Sequence, residues 1–308
     1  MKIIAVAIAA FLILAASPNA HAATAEPATF TMGDVKITAL QDTLGSMPVS
    51  IFHGAPEAEI NKLAPSGSVA AGVNVFLLHQ GNRIILIDTG NGPGKGSLLG
   101  ILSKLGIKAE DITDILLTHM HGDHIGGLIE GESPVYPKAK IQVSAPELYY
   151  WTQNAAPGLE ANANKAKAVQ KAYGGRLSTF QFGTEALPGM QALASIGHTP
   201  GHTMFLLTVP GNVKVVYSGK NMGHGAALGK EQQILFWGDL VHGADIQFPM
   251  PEVCARYDMN VAEAVDTRKI VMGLAADKKI PVAGAHLPFP AIGRVERDGK
   301  AFKFIPGL

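Results

Sequence analysis

Thr118-His119-Met120-His121-Gly122-Asp123-His124-Ile125-Gly126-Gly127 follows the apolar run Ile112-Thr113-Asp114-Ile115-Leu116-Leu117, which reads as a buried strand. Side chains two apart in a strand point the same way, so His119 and His121 are expected to leave the strand end on one face, where two imidazoles can grip one metal ion. Gly122 lets the chain turn, and Asp123 and His124 then offer an oxygen and a nitrogen from another direction, as a second ion beside the first would need. A His-x-His-x-Asp-His pattern arises by chance about once in a million positions. The alternative is a polar loop whose histidines merely cap a helix.

Before this stretch lie Met1-Lys2, the apolar run Ile3 to Ala16 and the small-residue triplet Ala20-His21-Ala22. That is the anatomy of a secretory signal peptide, too short for a comfortable membrane span, with cleavage near Ala22 and a periplasmic or secreted product. Residues 23–308 are then expected to form a single domain, since no linker, charge run or repeat divides them.

The chain has 25 basic and 25 acidic residues, which gives no electrostatic case for nucleic acid or an anionic membrane as a partner. A small neutral or weakly charged substrate fits better. The single cysteine, Cys254, rules out disulfides within the chain and reads as a small packed residue rather than a metal-binding thiol.

Around the ligand stretch the pattern alternates strands and short helices. Phe30 to Met32, Val35 to Leu40, Val73 to Leu78, Ile84 to Ile87 and Ala139 to Val143 read as strands, whereas Ser97 to Leu105 and Ala161 to Tyr173 read as helices ended by glycine. Residues 44–70 read as a long connection that could lie over a pocket. Asp88, at a strand end, either orients a metal-bound histidine or caps a turn. In Pro146-Glu147-Leu148-Tyr149-Tyr150-Trp151 the aromatic density makes Trp151 the candidate for an apolar pocket wall.

Three further segments can add ligands. Gly197-His198-Thr199-Pro200-Gly201-His202-Thr203 holds a histidine at a rigid corner, Phe236-Trp237-Gly238-Asp239-Leu240-Val241-His242 ends a buried strand, and Pro281-Val282-Ala283-Gly284-Ala285 leads into His286. With these motifs the chain resembles the metallo-β-lactamase superfamily, and Gln247-Phe248-Pro249 with Ala285-His286-Leu287-Pro288-Phe289-Pro290-Ala291-Ile292-Gly293 makes it similar to the methyl parathion hydrolase branch. The polar, glycine-rich stretch Ser218 to Gln233 departs from that branch as an insertion.

The resemblance implies an α/β (α+β) fold, an αββα sandwich of two mixed sheets flanked by helices. It implies two divalent ions, zinc first and manganese, cobalt or iron as alternatives, held by His119, His121 and His202 and by Asp123, His124 and His286 with Asp239 between them. His198 is then expected as a supporting residue inside the turn. A hydroxide bridging the ions would attack an organophosphate triester, aryl ester or lactone, with Asp123 and Asp239 at the centre of the chemistry. Acyl-homoserine lactonases of this superfamily place a tyrosine three residues after the bridging aspartate; here stands His242, either the acid for the leaving group or a support for Asp239. Lactonase as the main activity and a non-catalytic metal-binding protein are the competing functions, and a homodimer is a further implication.

Overall fold

The computed structural model describes residues 24–210, 216–218 and 231–307. The leader at 1–22 and most of the insertion read at 218–233 lie outside these residues.

Two mixed β-sheets face each other. The first runs in the order Leu177–Phe180, Lys140–Ser144, Asp114–Leu116, Arg83–Ile87, Val73–Gln80, Val35–Thr43, Ala28–Met32, Val216–Ser218. Its first four strands pair in parallel and the others antiparallel. The second runs Glu185–Leu187, Met190–Ala194, Thr203–Pro210, Glu231–Phe236, Val282–Ala283, Ile292–Asp298, Ala301–Pro306, with one parallel pairing, of Glu231–Phe236 to Val282–Ala283. Parallel neighbours need crossover connections, and the helices that supply them cover the outer faces.

Phe30, Ile37, Phe76, Leu78 and Ile85 of the first sheet and Phe205, Leu207, Ile234, Phe236 and Ile292 of the second share one core cluster, the layer between the sheets. Phe76 and Phe236 meet edge to face across it, with ring centroids 5.3 Å apart. Truncating either ring would cost about 3–5 kcal/mol through lost burial and the cavity left behind. A second cluster joins the far face of the first sheet, through Leu77, Leu86, Ile115 and Ile141, to the helices Leu98–Lys104, Ala145–Gln153 and Glu160–Tyr173. On the other outer face the helix Val261–Lys278 buries Val271, Met272 and Ala275 beside Val282 and Val295. The expected αββα arrangement is therefore present.

Most predicted elements stand within a few residues of their observed bounds. The 44–70 connection is more structured than expected: the strand Ser46–Pro48 pairs with Ser68–Ala70, and Glu57–Leu63 is a helix. The strand expected over Ile112 to Leu117 is only Asp114–Leu116. Beyond it the chain turns away because Thr118 spends its N–H on the Asp88 carboxylate, at 2.8 Å, instead of on a ladder. His119 and His121 thus stand on a loop, and their convergence comes from that loop and not from strand alternation. Cys254 is packed as expected: it is fully buried, and burial pushes its thiol up to about 11, so it stays protonated.

Candidate metal centre

Five imidazoles surround one carboxylate. Asp239 follows Gly238, whose φ of +56° turns the chain at the strand end and whose missing side chain leaves room, since a Cβ there would lie 2.6 Å from His202 Nε2. The Asp239 oxygens then lie 3.0 Å from His286 Nε2, 3.2 Å from His124 Nε2, 3.3 Å from His242 Nε2, 3.5 Å from His198 Nε2 and 3.8 Å from His119 Nε2.

Two groups of possible ligands share this residue: His119, His121, His198 and Asp239, and Asp123, His124, Asp239 and His286. His202, expected as the ligand, and His198, expected as its support, exchange places. The His202 Nδ1–H donates to the Ser195 carbonyl at 2.9 Å, and its Nε2 accepts the Asp239 N–H at 3.0 Å, so neither nitrogen is free for a metal. The His198 Nδ1–H instead donates to Asp258 Oδ1 at 2.9 Å, which leaves Nε2 as a lone pair 2.9 Å from His121 Nδ1 and 3.2 Å from His119 Nε2.

The remaining partners fix the other lone pairs inward. The Thr118 hydroxyl donates to Asp88 Oδ2 at 2.7 Å, so its oxygen is left to accept from His119 Nδ1 at 3.0 Å. The His124 Nδ1–H meets the same Asp88 oxygen at 2.8 Å, and the His286 Nδ1–H donates to the Gly72 carbonyl at 2.8 Å. Asp88 therefore orients His124, one of the candidate ligands, from a backbone at φ +61° that aspartate tolerates better than most residues. The result is a set of acceptor nitrogens pressed together, while buried His124 Nε2 and Asp239 Oδ1 have no hydrogen-bond partner. Such an arrangement is repulsive alone and is resolved by cations, so the donor set fits two divalent ions of the zinc type.

Protonation follows the carboxylates. Burial pulls His198 and His121 down to about 4 and His119 well below the usual imidazole range. Burial also opposes charge on His286 and His124, but Asp239 and Asp123 more than reverse it, raising His286 to about 9 and His124 well above its ordinary value. Asp239 itself is opposed by burial, yet His124, His286 and His119 hold it well below the carboxylate range.

A family model described as the metallo-beta-lactamase superfamily matches residues 69–219, the span that carries the His-x-His-x-Asp-His stretch and the His198 turn. The chain belongs to the metallo-β-lactamase superfamily. It is similar to the crystal structure of the hydrolase AbOPH of the beta-lactamase superfamily, at 29% identity and a TM-score of 0.78 over 92% of this chain and 98% of that one. It is also similar to AidC, a dizinc quorum-quenching lactonase solved with N-hexanoyl-homoserine product, at 26% identity and a TM-score of 0.76 over 91% and 97% of the two chains. Among curated relatives, the uncharacterized protein YobT of Bacillus subtilis is 28% identical over 142 residues, 46% of this chain and 59% of its own length. The chain spans about half the length of the first curated relatives it matches.

In this superfamily member two buried charges hold the ligand loops, and neither stands out in the sequence. The Glu147 carboxylate, fully buried, accepts from the Met120 N–H at 2.8 Å, the Trp151 indole at 2.7 Å, the Thr199 hydroxyl at 2.7 Å and the Gly201 N–H at 2.9 Å. It ties the His119–His121 loop to the His198 turn, and Gly201 is required there because a Cβ would collide with the Glu147 backbone. Asp258, besides holding His198, accepts from Arg268 Nη2 at 3.0 Å. The buried Arg268 also donates to the carbonyls of Leu240, Pro251 and Val253. No metal-binding spacing surrounds Asp258, and only the fold brings it to His198.

The centre opens into a cavity of about 450 Å³ whose wall includes Met47, Asn91, Lys95, Lys165, His242 and Tyr257. The 44–70 connection contributes to it through Met47. Trp151, expected in that wall, is only 1% exposed and lies behind His121, ring centroids 5.4 Å apart, with its N–H spent on Glu147. An indole with its only donor satisfied inside the protein has no reason to face the cavity. His242 does face it. Its ring stacks on His286 at 5.3 Å, and neither of its nitrogens has a hydrogen-bond partner.

Proposed function

We propose that this chain is an exported, dinuclear metal-dependent hydrolase of ester-type bonds. The observation that carries this is the pair of ligand clusters sharing Asp239 on the wall of an open cavity. A storage site would close around its ions, whereas these clusters leave room for water and substrate. Ions bound there would lower the pKa of water to near neutrality and polarise the scissile oxygen.

The chain's own residues then divide the work. His119, His121 and His198 form one cradle, Asp123, His124 and His286 the other, and Asp239 is offered to both. His242, 3.3 Å from Asp239 with unpartnered nitrogens at the cavity wall, is the side chain placed to hand a proton to the departing oxygen. Likeness to AbOPH and to AidC supports hydrolysis, and AidC, being a lactonase, favours a lactone among the candidates. An organophosphate triester or aryl ester is the other reading, from the motif resemblance.

The test is turnover by the metal-loaded protein of methyl parathion, a nitrophenyl ester and an acyl-homoserine lactone, with Asp239→Ala as control. Turnover of at least one, lost in the control, is expected. No turnover with two ions bound would overturn the proposal.

A further inference from the structure

The cavity wall carries charges that holding metal does not require. Lys95 and Lys165 both line it, beside His121, Asp123, Asp239 and His286. Other lysines in reach of a carboxylate pair with it, as Lys171 does with Glu132 at 3.3 Å and Lys303 with Asp298 at 2.9 Å. Among the described residues neither Lys95 nor Lys165 has an ion pair or a side-chain hydrogen bond, although Lys165 is half-buried. Burial lowers the tendency of the Lys165 ammonium to bear a proton, and the nearby charge of Lys95 adds to the effect.

Both positions are held by the backbone. The helix Glu160–Tyr173 is tied to the ligand loop by Asn162, whose amide donates to the Met120 carbonyl at 2.7 Å. Lys165 lies three residues further on, hence on the same helix face. The loop that carries Lys95 is pinned at both ends by Asp42, which accepts from the Asn91 N–H at 2.8 Å and the Leu98 N–H at 2.9 Å. The Asn91 side-chain amide is also spent on Asp42, at 3.2 Å. The two ammonium groups are therefore the cavity's free cationic donors.

We propose that the substrate carries an anionic group, a carboxylate or a phosphate, remote from the scissile bond, and that Lys95 and Lys165 receive it. This rests on the hydrolase reading and revises the expectation of a neutral substrate. Lysine is a mobile point charge, so the pair selects for charge and reach and not for one planar shape.

The experiment compares a neutral nitrophenyl butyrate with the nitrophenyl monoester of glutarate and with a nitrophenyl ester bearing a terminal phosphonate. The enzymes are the metal-loaded wild type and Lys95→Met, Lys165→Met and the double variant, with metal content and melting temperature checked for each. The wild type is expected to prefer one or both anionic esters in kcat/KM. Each substitution should lower that preference about 5-fold, as partly exposed charge contacts do, and leave the neutral ester within two-fold. Raising ionic strength should lower it in the wild type and leave the double variant unchanged. Equal preference in the wild type, or equal loss on neutral and anionic esters, would overturn the proposal. If no ester is turned over, the hydrolase reading falls instead. Calorimetric glutarate binding then decides the lysines: weaker binding to the double variant supports them, and unchanged binding removes them.

Discussion

On one side of Asp239 stand His119, His121 and His198, whose nearest charged support is Asp258, itself engaged by Arg268. On the other stand His124 and His286, with Asp123 and Asp88 also in reach. His198 is as buried as His286 and His121 is only partly buried, yet His198 and His121 are both pulled down to about 4 while His286 is raised to about 9. Burial alone therefore does not set the state of these ligands. How closely the carboxylates approach each ring does: His286 meets Asp239 at 3.0 Å, whereas His121 feels Asp123 and Asp239 without a hydrogen bond to either, and in the metal-free protein protons stand in for cations in the second half.

The comparison is most exposed at the shared residue. Asp239→Ala should lower kcat/KM by about 10³-fold or more, since it removes an oxygen from both cradles at once. Metal analysis should find fewer than two ions per chain, and two tightly bound ions would break the account of Asp239 as common to both halves.

Proton competition comes next. Zinc entering the second half must displace the proton of His286 and that of His124, so its affinity should fall as pH drops below about 9, by at least tenfold per unit and at least about 10³-fold by pH 6. The first half, already neutral well above 4, should bind with nearly constant affinity over the same range. Competitive chelator titrations at several pH values would show two ions separating as the solution is acidified, and parallel curves would refute the asymmetry.

Supports of the ligands should act more weakly. Asp258→Asn is expected to reduce affinity only at the first half, whereas Asp88→Asn, which touches His124 directly and His119 only through Thr118, should reduce it most at the second, each about 10–100-fold. His198→Ala should abolish binding at the first half, whereas His202→Ala should leave two ions bound and cost stability instead. The reverse result would restore the assignment made from sequence. The smallest effect belongs to Trp151→Phe, which leaves Glu147 three of its four donors and should lower stability by about 1 kcal/mol in denaturant unfolding, with KM unchanged.

What the sequence made legible follows from where the information sits. Histidines two apart, a strand leading in and a glycine after it are local, so the His119 to His124 stretch could be read without coordinates, and alternation found most strands. The choice between His198 and His202 could not be made that way. Both belong to one turn, and what separates them is which ring nitrogen meets a backbone group: Ser195 and Asp239 claim His202, and Asp258, sixty residues from His198, claims the other. Trp151 failed for a related reason. Aromatic density drew attention to its stretch, but the buried Glu147 four residues earlier decides which way the indole points. Lys95 and Lys165 carry no motif, and they matter only because a helix and a loop from distant parts of the chain meet at one cavity.

That meeting has a bearing on how such an enzyme could be changed. Met47, Lys95, Lys165 and Tyr257 each hang from a different stretch of chain, and none of them is a ligand or holds one. Combinatorial libraries at these four sites could therefore retune what the molecule accepts without touching the residues that keep its ions, with Lys95 and Lys165 varied together because their charges are coupled.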